Sequence, residues 1–188
     1  QFIQAEPASR VGLIQVLGIA STMTASFEEW RAELLHVGNI VQDGDDSIEW
    51  GERQARYNRY VEMLDALKGS EGFEYVLAVF ESLQAENDYG AYQIADRAAW
   101  RFGEVSYCTA LINELPRLIE DLPDRAGDLV GSIANGYGTK DESTIRVFNH
   151  LLSEASPAAK QDIDGFIRRE ELPTGWLSDR AGILGSNA

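Results

Sequence analysis

The chain has little cysteine and little histidine, with one and two respectively among 188 residues. One cysteine cannot build a disulfide framework, so we expect a reducing compartment and a cytoplasmic location. Cys108 lies on an apolar helical face, which is typical of a small buried side chain rather than of a nucleophile beside an activating base. The glycines form neither a P-loop nor a dinucleotide-binding fingerprint, and we expect no cofactor.

Long apolar runs are also missing. No run reaches the length that a bilayer-crossing helix needs, so we expect no membrane partner. The stretch VGLIQVLGIA after Arg10 has the length of a signal-peptide core, but one positive residue precedes it and two glycines interrupt it. We interpret residues 1–22 instead as containing a short buried helix, with Val11, Ile14 and Leu17 on one side.

Positive charge is scarce. Lys and Arg total 16 against 31 Asp and Glu, which leaves a net charge of -15. Such a field repels nucleic acid and anionic membranes and attracts a basic partner or cations. Solubility alone also explains an acidic composition, so charge by itself does not identify the partner.

The sequence lacks the alternation of apolar and polar residues that is typical of strands. Its apolar residues recur instead with the helical period, from Val11 to Ile167. The length suggests one helical domain over 1–188. The sequence therefore predicts an all-α fold. Because the connections between helices are short, neighbouring helices should be antiparallel, which favours an irregular stack of helical hairpins, α-solenoid or HEAT-like. Residues 172–188 are expected to form a loop-like tail pinned by Trp176.

Several local signals predict where helices begin. Ser26-x-x-Glu29 is a capping box for a helix over 24–39, with Phe27, Trp30, Leu34 and Leu35 following at helical spacing. Asp46 or Ser47 is expected to cap the next helix, which runs to Leu67. Ser70 is expected to open another, with Phe73 facing inward, and Ser156-Pro157 is expected to start the last helix.

The stretch 107–136 predicts two helices and a tight joint. The first helix has an apolar face that includes Val105. Pro116 should end or kink this helix, because proline lacks an amide donor. Pro123 suits the first turn of the second helix. Asn135-Gly136 is expected to close it with a left-handed residue.

That stretch also carries a family resemblance. ELPRLIEDLPDRAGDLVGSIANG, followed by LLSEAS and PAAKQDIDGFI, resembles the immunity protein 30 family of bacterial polymorphic toxin systems over residues 73–171. The matching positions are Leu115-Pro116, Pro123, Asn135, 151–156 and 160–169, whereas Ala126 and Gly127 stand where the family usually has an aromatic. The resemblance implies a HEAT-like, non-catalytic protein that binds and blocks a toxin domain encoded beside it.

Aromatic residues interleaved with acids suggest where a basic toxin would bind. Aromatics serve as contact anchors and charges steer association. The predicted partner-binding residues are Glu81, Glu86, Asp88, Tyr89, Tyr92, Trp100, Glu104 and Tyr107. We expect Tyr89, Tyr92 and Tyr107 to be the anchors, although Tyr92 and Trp100 are equally compatible with a partly buried position.

Two other functions stay open. Glu28-Glu29 with Glu33, then Glu62-x-x-Asp65, resembles the Mg²⁺ site of all-α nucleotide pyrophosphohydrolases. The match departs from that family, because three residues rather than two separate the glutamate pair from Glu33. A general helical scaffold is the third possibility.

Overall fold

The computed structural model describes residues 26–188, so the predicted first helix around Val11, Ile14 and Leu17 lies outside the described residues. The described part of the chain is all-α and contains no strand. Its helices are α1 (Phe27–Gly38), α2 (Trp50–Asp65), α3 (Phe73–Glu81), α4 (Ala91–Trp100), α5 (Glu104–Asp121), α6 (Pro123–Ala134), α7 (Glu142–Glu154) and α8 (Pro157–Glu170). None of them is long and apolar enough to cross a membrane.

Helices pack as hairpins set side by side. α1 packs against α2, α3 against α4, and α5 against α6, while the odd-numbered helices contact each other in the order α1, α3, α5, α7. α8 departs from this pattern because it packs back onto α5. The all-α prediction is confirmed, and the more specific HEAT-like description stays a prediction.

Helix α5 lies at the centre of the core. Tyr107, Cys108, Leu111, Leu115 and Leu118 on this helix have no exposed surface. Buried residues from α1 to the C-terminal tail belong to one hydrophobic cluster. Burial raises the pKa of the Cys108 thiol to about 12, which confirms that this cysteine is a buried apolar side chain rather than a reactive thiolate.

The helix starts at α1, α6 and α8 confirm the sequence signals. Ser26 Oγ accepts a hydrogen bond from the Glu29 amide at 3.2 Å, and the Glu29 carboxylate accepts one from the Ser26 amide at 2.9 Å. Pro123 opens α6, and Ser156 caps α8 through the Ala159 amide. Capping side chains satisfy amides that a helix leaves unpaired.

Helices α2 and α3 begin later than predicted. Neither Asp46 nor Ser47 caps α2, because the Ser47 amide and hydroxyl both donate to Asp45 Oδ1 in a separate turn. Ser70 does not open α3, which starts after Gly72 at a φ of 131°. Phe73 is 40% exposed, so the prediction that it faces inward is wrong.

Helix α5 continues through Pro116 to Asp121, so it does not end at this proline, and the alternative of a kink there stays a prediction. Burial of Leu115 and Leu118 on either side offsets the missing hydrogen bond, since each buried leucine contributes roughly 1.5–3 kcal/mol. Val105 is 61% exposed rather than part of the buried face. α6 closes without the predicted left-handed residue, because the positive φ falls at Gly138 instead of Gly136.

Residues 172–188 form the predicted loop-like tail, without a helix. The Trp176 indole lies over Gly127 but remains 56% exposed. Leu177 and Leu184 are buried in the core and anchor the tail more deeply. The Asp164 carboxylate also accepts a hydrogen bond from the Ser186 amide at 2.9 Å.

Candidate functional site

Two loops at one end of the molecule are joined into a single surface. The α1–α2 loop supplies Gln42, whose side-chain nitrogen donates to the Asn87 carbonyl at 2.9 Å. The Asn87 amide in the α3–α4 loop donates back to Gln42 Oε1 at 3.0 Å. The Tyr89 hydroxyl accepts from the Asp43 amide at 3.0 Å. We call residues 42–49 together with 86–89 the loop surface.

The loop surface is acidic. Its exposed carboxylates belong to Asp43, Asp45, Asp46, Glu49 and Glu86. The nearby Arg53 does not extend toward solvent, because its guanidinium donates to the carbonyl oxygens of Gln42, Asp45 and Ile48. Clustered carboxylates of one sign raise the local negative potential, which attracts a cationic partner.

An aromatic pocket of about 250 Å³ opens beside the loop surface. Its apolar walls are Ile40, Val41, Trp50, Tyr57 and Tyr89. Asp43, Arg53, Gln54 and Arg56 complete the lining. Trp50 is 74% exposed and Tyr89 is 48% exposed, whereas aromatic side chains usually bury most of their area. An exposed aromatic patch beside polar groups is typical of an interaction site.

Tyr89 is held in an uncommon backbone conformation. Its φ of 49° is in the left-handed region, which non-glycine residues rarely adopt. Its carbonyl accepts a hydrogen bond from the Tyr57 hydroxyl at 3.2 Å, and its own hydroxyl is fixed by Asp43. Tyr89 and Glu86 are therefore the predicted partner-binding residues that the structure places on the loop surface.

Asp88 belongs to the segment 86–89, but its side chain is largely buried and has a structural role. Its carboxylate accepts hydrogen bonds from the amides of Gly90 at 3.3 Å and Tyr92 at 2.8 Å at the start of α4. It also forms an ion pair with Arg125 at 3.1 Å. Because its side chain is only 16% exposed, little of it remains for a partner to contact.

Tyr92 is buried, so the prediction that it anchors a partner needs correction. The ring is 2% exposed, and its hydroxyl accepts from the amides of Gln84 at 2.8 Å and Ala85 at 2.7 Å. The same hydroxyl donates to the Gly38 carbonyl at 3.0 Å. Tyr92 thus joins the end of α1 to the α3–α4 loop from inside the core.

Tyr107 is corrected in the same way, because its ring has no exposed surface. Its hydroxyl donates to Asp96 Oδ1 at 2.6 Å, and its ring stacks on Trp100 with centroids 3.9 Å apart. Trp100 is only partly exposed. Burial raises the pKa of Asp96, and the Tyr107 hydrogen bond opposes that shift. Tyr107 therefore stabilises the fold and cannot anchor a partner, whereas Trp100 keeps part of its surface exposed.

Two further predicted residues are also engaged within the fold. Glu81 forms an ion pair with Arg31 at 2.7 Å. Glu104 accepts hydrogen bonds from the hydroxyls of Ser143 at 2.7 Å and Thr144 at 3.0 Å, which ties the start of α5 to the start of α7. The structure therefore does not bring the eight predicted residues together into one surface.

Two carboxylates of the alternative metal site, Glu33 and Glu62, meet around an arginine. Arg59 Nε and Nη2 donate to the two Glu33 oxygens at 2.7 and 3.0 Å, and Nη1 donates to Glu62 at 3.1 Å. The hydrogen bonds from Arg59 lower the pKa of Glu33. Within residues 26–188, no group of three or more His, Cys, Asp or Glu side chains is placed to hold a metal ion.

Sequence reasoning missed Trp50 and the carboxylates of the α1–α2 loop. The segment Gln42-Asp-Gly-Asp-Asp46 is acidic and turn-forming, and neither it nor Trp50 is among the predicted partner-binding residues. One signal was available: Trp50 is followed at helical spacing by Arg53 and Gln54 rather than by apolar residues, so its own helix offers no apolar stripe that would bury it.

Comparisons with known proteins do not identify a family. No family model, no curated protein and no solved structure matches the chain. The resemblance to the immunity protein 30 family therefore stays a prediction, together with the function that it implies.

Proposed function

We propose that this chain is a non-catalytic immunity protein, which binds a basic bacterial toxin domain through the loop surface and blocks it. The observation that carries the proposal is the position of two exposed aromatic rings, Trp50 and Tyr89, beside five exposed carboxylates. Binding sites for basic proteins combine these two features, because aromatics supply contact energy and acids supply attraction at a distance.

Charge supports the same proposal. The net charge of -15 disfavours nucleic acid as the partner and favours a cationic protein. A toxin that acts on nucleic acid would itself carry a basic cleft, and an acidic protein seated there would compete with phosphates. We therefore propose a nuclease-like toxin as the partner and the cytoplasm as the place of action.

The pyrophosphohydrolase alternative is less well supported. A Mg²⁺ site needs carboxylate oxygens that are free to bind the ion. The Glu33 oxygens are both paired with Arg59, and the Glu29 carboxylate is paired with the Ser26 amide. The scaffold alternative gains no specific observation.

The test is protection of cells. The chain should be co-expressed with the toxin domain encoded in the neighbouring gene, and with an unrelated basic nuclease as a control for general charge effects. We expect growth to be restored only with the neighbouring toxin. Full toxicity in the presence of folded, abundant chain would contradict the proposal.

A further inference from the structure

We propose that the aromatic pocket receives one apolar side chain of the partner, and that basic residues flanking this side chain contact the loop surface. The inference rests on the proposed function, because it names the chemistry of the toxin segment that would dock. It goes beyond that function by assigning a pocket and a specific anchor position.

The size of the pocket argues for a side chain. Pockets that enclose a cofactor or a drug-sized ligand measure roughly 300–1,000 Å³. The aromatic pocket measures about 250 Å³, which suits one or two side chains. Ile40, which belongs to its lining, is only 6% exposed, so part of the lining is a buried apolar side chain.

Three of the lining residues are held in place before binding. Tyr89 is fixed at both its hydroxyl and its carbonyl, by Asp43 and Tyr57 respectively. Arg53 is bound to three loop carbonyls and Arg56 is paired with Glu52 at 2.5 Å. A preorganised pocket loses little conformational freedom on binding, which favours affinity.

Charged groups in the pocket lining and around it favour an apolar side chain in the pocket and basic residues beside it. A cationic side chain would meet the guanidinium groups of Arg53 and Arg56 inside the pocket, so an apolar side chain fits better. Outside, Asp43, Asp46 and Glu49 are exposed and would attract Lys or Arg on either side of the anchor. Such an arrangement, an apolar anchor within a polar ring, is common at interaction hot spots.

The first arm of the test uses the full chain and the neighbouring toxin domain. Trp50→Ala removes the most exposed wall, and Trp176→Ala is a matched control because Trp176 is also exposed, at 56%. We expect Trp50→Ala to weaken binding by about tenfold or more and the control to change it less than twofold, since a buried apolar contact is lost only in the first. Equal affinities for wild type and Trp50→Ala would overturn the pocket inference while leaving the proposed function intact.

The second arm uses synthetic peptides and does not depend on the toxin. The probes are Lys-Arg-Phe-Arg-Lys, the same peptide with Ala at the centre, and the same peptide with Glu at the four flanks. Nuclear magnetic resonance should show a shift of the Trp50 indole signal with the first peptide, about tenfold weaker binding with the second, and no binding with the third.

Two results would overturn the pocket inference, and a third would overturn only the toxin as its partner. Equal binding of the Phe and Ala peptides would mean that the pocket stays empty. A dimer in analytical ultracentrifugation that Trp50→Ala dissociates would mean that a second copy of the chain occupies the pocket. Peptide binding as expected, without any toxin binding, would retain the pocket and reject the proposed toxin partner.

Discussion

Gln42 and Asn87 exchange two hydrogen bonds across the α1–α2 and α3–α4 loops, at 2.9 and 3.0 Å. The two residues are 45 positions apart in the chain, so nothing local in the sequence indicates the pairing. This pairing brings Glu86 and Tyr89 beside the acidic α1–α2 loop and so creates the loop surface.

Gln42→Ala should loosen the loop surface without unfolding the protein. It removes three side-chain hydrogen bonds, two with Asn87 at an exposed site and one to the Ile40 carbonyl, so we expect the free energy of unfolding to fall by about 1 kcal/mol or somewhat more. Amide hydrogen exchange at Asn87 should become clearly faster. Gln54→Ala, which removes one exposed hydrogen bond to Asn58 within α2, is the control and should leave Asn87 unchanged. Unchanged exchange at Asn87 in the first variant would mean that the loops are not joined in solution.

Tyr92→Phe tests whether Tyr92 is structural. Removing the hydroxyl leaves the amides of Gln84 and Ala85 without their partner, so we expect a loss of about 1–3 kcal/mol in urea denaturation. Tyr57→Phe removes one hydrogen bond at the surface and should lose less than about 1 kcal/mol. Similar stability losses in the two variants would contradict the buried role of the Tyr92 hydroxyl.

Stability should depend on pH through Asp96. Burial raises the pKa of this carboxyl in the folded state, so the folded protein holds the proton more tightly than the unfolded chain. Stability therefore falls as pH rises from the unfolded pKa near 4 through the folded pKa. Asp96→Asn cannot ionise, but its amide oxygen still accepts from the Tyr107 hydroxyl.

We compare the free energy of unfolding of Asp96→Asn with that of wild type. The variant should gain stability relative to wild type as pH rises from the unfolded to the folded pKa of Asp96, and the gain should then level off. Denaturation between about pH 4 and pH 8 measures this difference. Asp162→Asn, which removes an exposed carboxyl, is the control against which the effect of Asp96→Asn is compared. A flat or falling difference for Asp96→Asn would show that burial does not dominate the ionisation of Asp96.

The carboxylates of α1 and α2 should not support nucleotide hydrolysis. Because Arg59 pairs with both Glu33 and Glu62, we expect purified protein with Mg²⁺ to release no phosphate or pyrophosphate from nucleoside triphosphates. The measurement needs a variant control, Glu33→Gln with Glu62→Gln, which separates intrinsic activity from contamination. Metal-dependent turnover that disappears in this double variant would make the chain an enzyme and contradict the proposed function.

Local structure could be predicted from sequence far better than the surface could. Capping at Ser26 and Ser156 depends on neighbours a few residues away, and both signals are confirmed. The continuation of α5 through Pro116 could not be predicted, because it depends on the burial of α5 by helices that are distant in sequence. Tyr92 and Tyr107 were misjudged for a related reason: their hydroxyls are satisfied by Gly38 and Asp96, and a sequence pattern does not reveal such partners.

The loop surface was only half predictable. Tyr89 and Glu86 were identified because acids and aromatics alternate near them in sequence. Trp50 and Asp43 join them only through the fold, since they belong to another hairpin. A surface built from residues that are distant in sequence can be recognised only when the packing of the helices is known.

Electrostatic steering tests the central claim, that the loop surface meets a basic toxin. A charge-reduced variant of this surface combines Asp43→Asn, Asp46→Asn, Glu49→Gln and Glu86→Gln, and keeps Asp45 because its carboxylate accepts hydrogen bonds from Ser47. A matched control neutralises four exposed carboxylates on α5–α8, namely Glu120→Gln, Asp124→Asn, Glu154→Gln and Asp162→Asn. Both variants remove the same charge from the chain, so they differ only in where the charge was.

The most direct measurement is the stopped-flow association rate with the neighbouring toxin domain at several salt concentrations. We expect wild type to associate well above the roughly 10⁵–10⁶ M⁻¹s⁻¹ of an unsteered pair, and to slow as salt screens the charges. The loop-surface variant should associate about tenfold more slowly at low salt, with a smaller change in dissociation, and the control should stay within about threefold of wild type. Association that ignores salt, or that slows equally in both variants, would contradict the claim that the loop surface binds the toxin.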